Sequence, residues 1–294
     1  MRIESKIEKS VRYFYCLILS ILFASSVVAS EDQQQKTSEG WPCTSKIDPS
    51  YVMVAEETGG QVQMFQPSEA SGSLTLIESK LAGNDETVYR ISGELSGERE
   101  STVLVDPSIE SITFSAFVQC MKNITIYDPS GTEFLSGAVN SKDSRFISGR
   151  ILTVKQPADG LWKIRMEGSG YFSMIGEAKT QLTLTTEFVE SGGRPGHDGY
   201  FPIKRQPKMV QEEKVSIRLY GKVLNAEVLI VNREGELLQK LPLEPSYEGE
   251  DSTEYLVPVK LTEEQFRIQV AGKDKTNSKF ERMDPRLYHA SRTQ

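Results

Sequence analysis

The sequence predicts a mostly β protein: two consecutive β-sandwich domains, the second immunoglobulin-like, with one short N-terminal helix. Three observations carry that reading. Apolar side chains recur at every second position in many short segments. Ile112, Phe114 and Ala116, for example, alternate with Thr113 and Ser115, the period of a half-buried strand. Turn signals separate these segments about every ten residues, as in a sandwich and unlike βαβ units. The segments also fall into two series of about 120 and 80 residues, each long enough to bury its own core.

The chain opens as an export signal. Arg2, Lys6, Lys9 and Arg12 precede an apolar run at 14–24, and small residues fill 25–30. That is the order of a signal peptide spanning 1–30, with cleavage after Ala29 or Ser30. The alternative is an uncleaved anchor, for which the apolar stretch of about 17 residues sits at the short limit. The expected location is secreted, periplasmic or extracellular, with no membrane contact after cleavage. Removing 1–30 takes four of the 34 Lys and Arg and two of the 41 Asp and Glu, leaving a net charge of −9. An acidic chain without a basic run is a poor match for nucleic acid or anionic lipid.

Residues 31–40 are polar and featureless, and 31–46 reads as a disordered leader. Within it stands Cys43, which with Cys120 forms an even pair once Cys16 leaves with the signal. In an oxidising compartment the two are expected to form one disulfide. A closed loop of 77 residues corresponds to about 4.5 kcal/mol in the chain-entropy model, less any strain. The alternative is two buried thiols.

Residues 47–191 read as a helix and strand followed by the first sandwich. Pro49 can begin a helical turn. A short helix at 51–58 would point Val52, Ala55 and Val54 inward and stop at Gly59-Gly60. Val62 and Met64 belong to a short strand. Further strands are expected at 73–79, 86–93, 101–105, 111–118, 124–128, 149–154, 161–166, 171–175 and 181–188. Asp128-Pro129-Ser130-Gly131 and Asp159-Gly160 carry turn chemistry. The glycine-rich "GSGYFSMIG" suits a hairpin turn. Phe114 and Trp162 are the expected core aromatics.

Residues 192–207, "GGRPGHDGYFPIKRQP", read as a structured joint between the sandwiches. Pro195, Pro202 and Pro207 each fix a backbone angle, and Gly196 and its neighbours permit conformations closed to other residues. Tyr200 and Phe201 could plug against both sandwiches, Arg194 could bond carbonyls at the crossing, and His197 could pin the loop. A flexible linker would use Gly and Ser without aromatics. The second sandwich is expected at 208–283 and a flexible tail at 284–294.

The chemistry-bearing residues are few. Only His197 and His289 could serve a Ser-His-Asp site, and no G-x-S-x-G elbow supplies a nucleophile. The two imidazoles stand far apart, so no zinc spacing arises. The acidic loops 84–86 and 248–251 lack the ligand alternation of an EF-hand and read as solvated turns. No phosphate-binding or dinucleotide fingerprint is present. The reading therefore assigns no catalytic residue, metal or cofactor. Asn123-Ile124-Thr125 is a glycosylation sequon, meaningful in a eukaryotic secretory pathway.

Several motifs also occur in a recognisable order. "YVMVAEETGGQVQMFQPSE" resembles the last helix and strand of a von Willebrand factor A domain. "VDPSIESITFSAFV", "IYDPSGTEF" and "QPADGLWKIRMEGSGYFSMIGEA" resemble the β-sandwich that follows that domain in hemicentin and related proteins. "GRPGHDGYFPI" and "FRIQVAGKDKTNSKFER" resemble the joint and final strands of the next, immunoglobulin-like module. The resemblance spans about 47–285 and implies an extracellular module that scaffolds or adheres. The Asp-x-Ser-x-Ser loop of the family's metal-dependent adhesion site is absent, so no metal residue carries over. Two functional classes remain. One is a non-catalytic secreted binding, adhesion or scaffold protein with an extracellular protein or glycan partner. The other is a secreted hydrolase using loop carboxylates, with an accessory domain of a partner enzyme as a variant of the first.

Overall fold

The computed structural model describes Cys43, residues 47–65, 68–69, 74, 77, 83, 86–135, 137–193 and 198–292. The expected signal peptide, the leader apart from Cys43, most of the 73–79 strand, the acidic pair Asn84-Asp85 and Arg194 to His197 lie outside those residues. The fold is mostly β, with three antiparallel sheets and, before them, the short helix α1 (Pro49–Glu57); Leu74 and Ile77, the two described residues of the expected 73–79 strand, are helical, which corrects that expectation.

The first module is a single sheet of β1 (Glu86–Val105), β2 (Ile109–Tyr127), β3 (Ser141–Arg145), β4 (Gly149–Lys155) and β5 (Gly160–Thr180), in the order β1-β5-β2-β4-β3. Three of these strands are about 20 residues long, and the sheet folds back on itself. Phe114 of β2 lies opposite Gly176 of β5, yet its ring stands 5.3 Å from that of Trp162. On a straight strand, positions 162 and 176 would be about 46 Å apart at ~3.3 Å per residue. The two halves of the bent sheet thus face each other and enclose one core, with Val88, Ile91, Phe114, Ile126, Trp162 and Met174 inside.

The corner runs across three strands. On β5, Gly168 approaches the Cys120 carbonyl so closely that a Cβ would sit 2.3 Å from its oxygen, and Gly170 has φ +84°. On β2 the register slips at Val118/Cys120 and again at Met121/Asn123, the signature of bulges that bend a strand. This corrects the sequence reading. The strands expected at 86–93 and 101–105 are one strand, as are 111–118 with 124–128 and 161–166 with 171–175. "GSGYFSMIG" lies within β5 and is not a hairpin turn. Glycine here serves a bend, and the ladder continues through it.

The second module is a two-sheet sandwich. One sheet orders β11 (Pro245–Glu248), β12 (Ser252–Lys260), β8 (Glu212–Tyr220), β6 (Thr183–Gly192) and β7 (Gly199–Pro202). The other orders β10 (Leu237–Pro242), β9 (Val223–Val231), β13 (Gln265–Asp274) and β14 (Lys279–Met283), with β15 (Tyr288–His289) also on β13. Phe188, Ile217, Val257, Ile230, Phe266 and Ile268 fill the space between. Two boundaries move. β6 pairs with β8, so 183–192 belongs to this module and not to the first. The segment expected to be a loose tail is anchored: β15 pairs with Gln265 and Phe266, Leu287 and Ala290 are buried, and Ser291 bridges Lys208.

Candidate functional site

The densest arrangement of charged groups lies where the modules meet, and it begins with α1. Asp48 caps the helix by accepting a hydrogen bond from the Ser50 amide at 2.9 Å, and Pro49 occupies the first turn. Thr58 and Gly59, at φ +78°, end it. The expected inward face holds for Val52, which packs toward Phe117 and Ile151, and is corrected at Val54, which is exposed; the buried helical residue is Glu56. Cys43, bonded to Cys120, ties the preceding segment to the corner of the first module. Downstream, Gln61 bonds the Ser115 carbonyl and hydroxyl, and Met64 and Phe65 pack on Phe117, Ile151 and Phe146. The 47–65 segment is therefore a seam laid on one module with its helix against the other.

Glu56 is the acceptor at the centre of the seam. Arg233 donates to it through Nε at 2.9 Å and Nη2 at 3.0 Å, and the Tyr171 hydroxyl donates at 3.1 Å. The Arg267 guanidinium lies 3.6 Å away. Arg90 donates to the carbonyls of Gly59 and Gly60. Burial alone would lift the Glu56 carboxyl. Hydrogen bonds from Arg233 and Ser92, and the charges of Arg233 and Arg267, outweigh it and hold the group below the usual range. Burial, and then the charge of Arg90, push Arg267 down to about 9. It stays cationic at neutral pH, as guanidinium groups do in proteins.

The hairpin tip that carries Arg233 docks on the free edge of β1. The Ser92 amide donates to the Arg233 carbonyl at 3.1 Å, and Arg99 donates to the Glu234 carbonyl. A Cβ at Gly235 would meet Ile91 at 2.8 Å, so a larger residue does not fit there. Covering β1 removes an unpaired sheet edge. A second junction lies at the β1–β2 turn. Arg282 of β14 donates to Asp106 Oδ2 at 2.7 Å, to the Leu182 carbonyl at 2.6 Å and to the hydroxyls of Ser108 and Thr180 at 2.9 and 3.1 Å. Both partners are buried. Within the second module, burial would raise the Asp284 carboxyl, but hydrogen bonding and charge from Arg286 and a hydrogen bond from Thr186 hold it low.

These junctions correct the expected joint. The modules connect directly through Gln181-Leu182 between β5 and β6, and the Leu184 amide is held by Glu86 at 2.9 Å. β7 folds back on β6, with Gly192 opposite Gly199. Tyr200 and Phe201 therefore sit on a sheet edge, 47% and 46% exposed, and do not plug the sandwiches. The Lys214 ammonium donates to the Tyr200 hydroxyl at 3.1 Å. Dense Gly and Pro here serve an edge hairpin. Arg194, Pro195, Gly196 and His197 lie outside the described residues. Phe114 and Trp162 are core residues and Asn123 is exposed. His289 lies 3.2 Å from Glu57. Among the described residues, no group of three or more His, Cys, Asp or Glu side chains is placed to hold one metal ion.

Sequence reasoning missed Glu56, Arg90, Arg233, Arg267, Asp106 and Arg282. Arg90 and Arg267 carried a signal, a lone charge inside an apolar run, as in "VYRIS" and "FRIQV"; Glu56, Asp106, Arg233 and Arg282 stand beside turns or other charges and carried none.

No family model matches the chain. It is similar to hemicentin-2 of Mus musculus, with 23% identity over 260 residues; the match covers 84% of this chain and 5% of that protein. The chain thus spans a small part of the relative's length. The von Willebrand A part of the resemblance finds no support in these comparisons. A solved structure, of Bacillus licheniformis lipase BlEst2 in propeptide form, aligns with a TM-score of 0.27 at 16% identity over 66% of this chain and 43% of that one. At that score it carries no argument. The mostly β fold, the Cys43–Cys120 bond and the hemicentin likeness support an extracellular β-sandwich protein. Among the described residues no helix is long and apolar enough to cross a membrane.

Proposed function

We propose that the chain is a non-catalytic extracellular binding or scaffold protein, whose two modules are locked into one unit that presents loops to an extracellular protein or glycan. The observation that carries this reading is the pair of buried ionic junctions. They place buried charges between the modules, with carboxylates answered by arginines and backbone, beside buried pairs such as Arg150–Asp143 that lie within one module. The hemicentin likeness supports the same class. The turns at 137–140, before β3, and 249–251, between β11 and β12, are the surfaces for a partner, because binding groups concentrate on loops held by a rigid frame. Nucleic acid and lipid are disfavoured partners for an acidic surface. The test is capture on immobilised secreted protein from an extracellular-matrix extract and a glycan array. Retention of a matrix protein or glycan, lost on replacing residues 249–251 by Gly-Ser-Gly, is expected. Turnover of ester or glycoside substrates that disappears in His197→Ala would replace this reading with the hydrolase one.

A further inference from the structure

We propose that Asn123 is an N-glycosylation site whose oligosaccharide shields the open flank of the first sheet. Asn123-Ile124-Thr125 has the residue order that the modification requires. The fold presents it suitably. Ile124 is buried and anchors the strand, while Asn123 is exposed. Thr125, which is buried, points to the same side as Asn123, as i and i+2 must in a strand. The Asn123 Nδ2 donates to the Thr125 hydroxyl at 3.0 Å, so the nitrogen that would carry the sugar lies beside the hydroxyl that defines the sequon.

Position matters as much as chemistry. β4 pairs with β2 only over Ser111 to Phe117. Beyond Phe117, β2 turns the corner. Among the described residues no named strand pairs with that flank; it is met by single bonds, from the Val118 amide to the Ser148 carbonyl at 2.8 Å, from Arg150 to the Ile124 carbonyl at 3.4 Å and from the Phe134 amide to the Ile126 carbonyl, and by a bridge from Tyr127 to Glu133. A long strand with an open flank is a template for pairing with another chain. Asn123 stands in the middle of that stretch. A hydrated oligosaccharide there would cover the flank without disturbing the core beneath it. Cys120, three residues earlier, is bonded to Cys43, so the same strand carries a mark of an oxidising compartment.

The transfer needs a lipid-pyrophosphate-linked oligosaccharide and the transferase of a eukaryotic secretory pathway. The Asn123 Nδ2 forms a bond to the anomeric carbon. The carbon–oxygen bond to the pyrophosphate breaks, the lipid pyrophosphate leaves, and the amide gives up one proton. The inference rests on the extracellular half of the functional reading and not on any ligand.

The test is secretion of the full chain from cultured insect cells, with mass spectrometry of the tryptic peptide 123–142. The expected result is a glycosylated chain that peptide N-glycosidase, applied to the denatured protein before digestion, converts to one whose 123–142 peptide carries Asp at 123. Asn123→Gln and Thr125→Ala should lose the modification, and Thr125→Ser should keep it. Asn123→Gln should also shift toward dimers and larger species in analytical ultracentrifugation while retaining its far-ultraviolet spectrum. Secreted chain with the Cys43–Cys120 bond closed and Asn123 unmodified would overturn the proposal, as would failure of the chain to enter the pathway. Glycosylated wild type with a strictly monomeric Asn123→Gln variant would overturn the shielding role. Neither result bears on ligand capture, which tests the functional reading separately.

Discussion

Two arginines of the second module, Arg282 and Arg267, are both fully buried and both reach into the first, yet their surroundings differ. Arg282 has one carboxylate to itself and spreads its remaining donors over two carbonyls and two hydroxyls. Arg267 reaches the Pro285 carbonyl at 3.0 Å and Ser92 at 3.5 Å, shares Glu56 with Arg233, and has an Nε with no hydrogen-bond partner. One junction is answered donor by donor; the other crowds Arg90, Arg233 and Arg267 around Glu56, with the charges of Glu177 and Asp284 also acting on Arg90. A buried ion pair stabilises only when its geometry and remaining hydrogen bonds repay desolvation. The Arg282 junction should therefore hold the modules together, while the Glu56 junction orients them at some cost.

Asp106→Ala gives the largest expected effect. It strands Arg282, which has no route to water, and should cost about 3 to 5 kcal/mol in urea unfolding, the usual loss when one partner of a buried pair is removed. A loss below about 1 kcal/mol would show that the carbonyls and hydroxyls suffice without the carboxylate.

Opening the disulfide comes next. Cys43→Ser with Cys120→Ser should cost about 2 to 4 kcal/mol, and its effect should be local. Glu56 reaches its junction on the segment that the bond tethers, whereas Asp106 lies on the β1–β2 turn. Hydrogen exchange should accelerate at the amides of Ser92 and Leu287, which bond the hairpin tip and α1, and stay slow around Leu182. Equal acceleration at both would mean the junctions are not independent.

Glu56→Gln should cost less, about 1 to 3 kcal/mol, because the Arg233 side chain is a quarter exposed and can swing toward solvent. Its contribution should also depend on pH. The folded carboxyl titrates below its unfolded value, so the unfolded chain binds protons first as pH falls. The stabilisation is present above the ordinary carboxylate range, near pH 4.3, and is lost as pH drops through the folded value. The stability gap between wild type and Glu56→Gln should thus shrink on acidification from pH 6 to pH 3. A constant gap would place the effect in packing of α1.

The alternation of Ile112, Phe114 and Ala116, the turn at Asp128 to Gly131 and the pairing of Cys43 with Cys120 were legible because each is local or a matter of counting. Gly168 and Gly170 were not: glycine marks a reversal and a bend alike, and only Cys120, on another strand, requires the bend here. The arginines failed for a different reason. A charge in a strand ordinarily marks the solvent face, and Arg90, Arg267 and Arg282 have a second module where solvent was expected. Tyr200 and Phe201 misled in the opposite sense, since aromatics between prolines read as a plug and lie on an exposed edge.

Arg267→Met is the smallest expected effect and separates the two junctions most sharply. Met is unbranched and fills irregular space, and the change removes a cation with an unpaired Nε and a desolvation penalty. It also relieves Arg90, whose charge opposes that of Arg267. Stability should stay within about 1 kcal/mol of wild type or rise, because Glu56 keeps Arg233 and Tyr171 as hydrogen-bond partners and is not left unpaired. Arg282→Met should instead be destabilising, since it abandons Asp106 and the Leu182 carbonyl in the interior. If both Met variants lost stability alike, crowding around Glu56 would carry no cost and the two buried arginines would be equivalent supports. A stable Arg267→Met protein whose modules nevertheless changed their relative orientation, read by small-angle scattering, would assign the Glu56 junction to geometry and the Arg282 junction to energy.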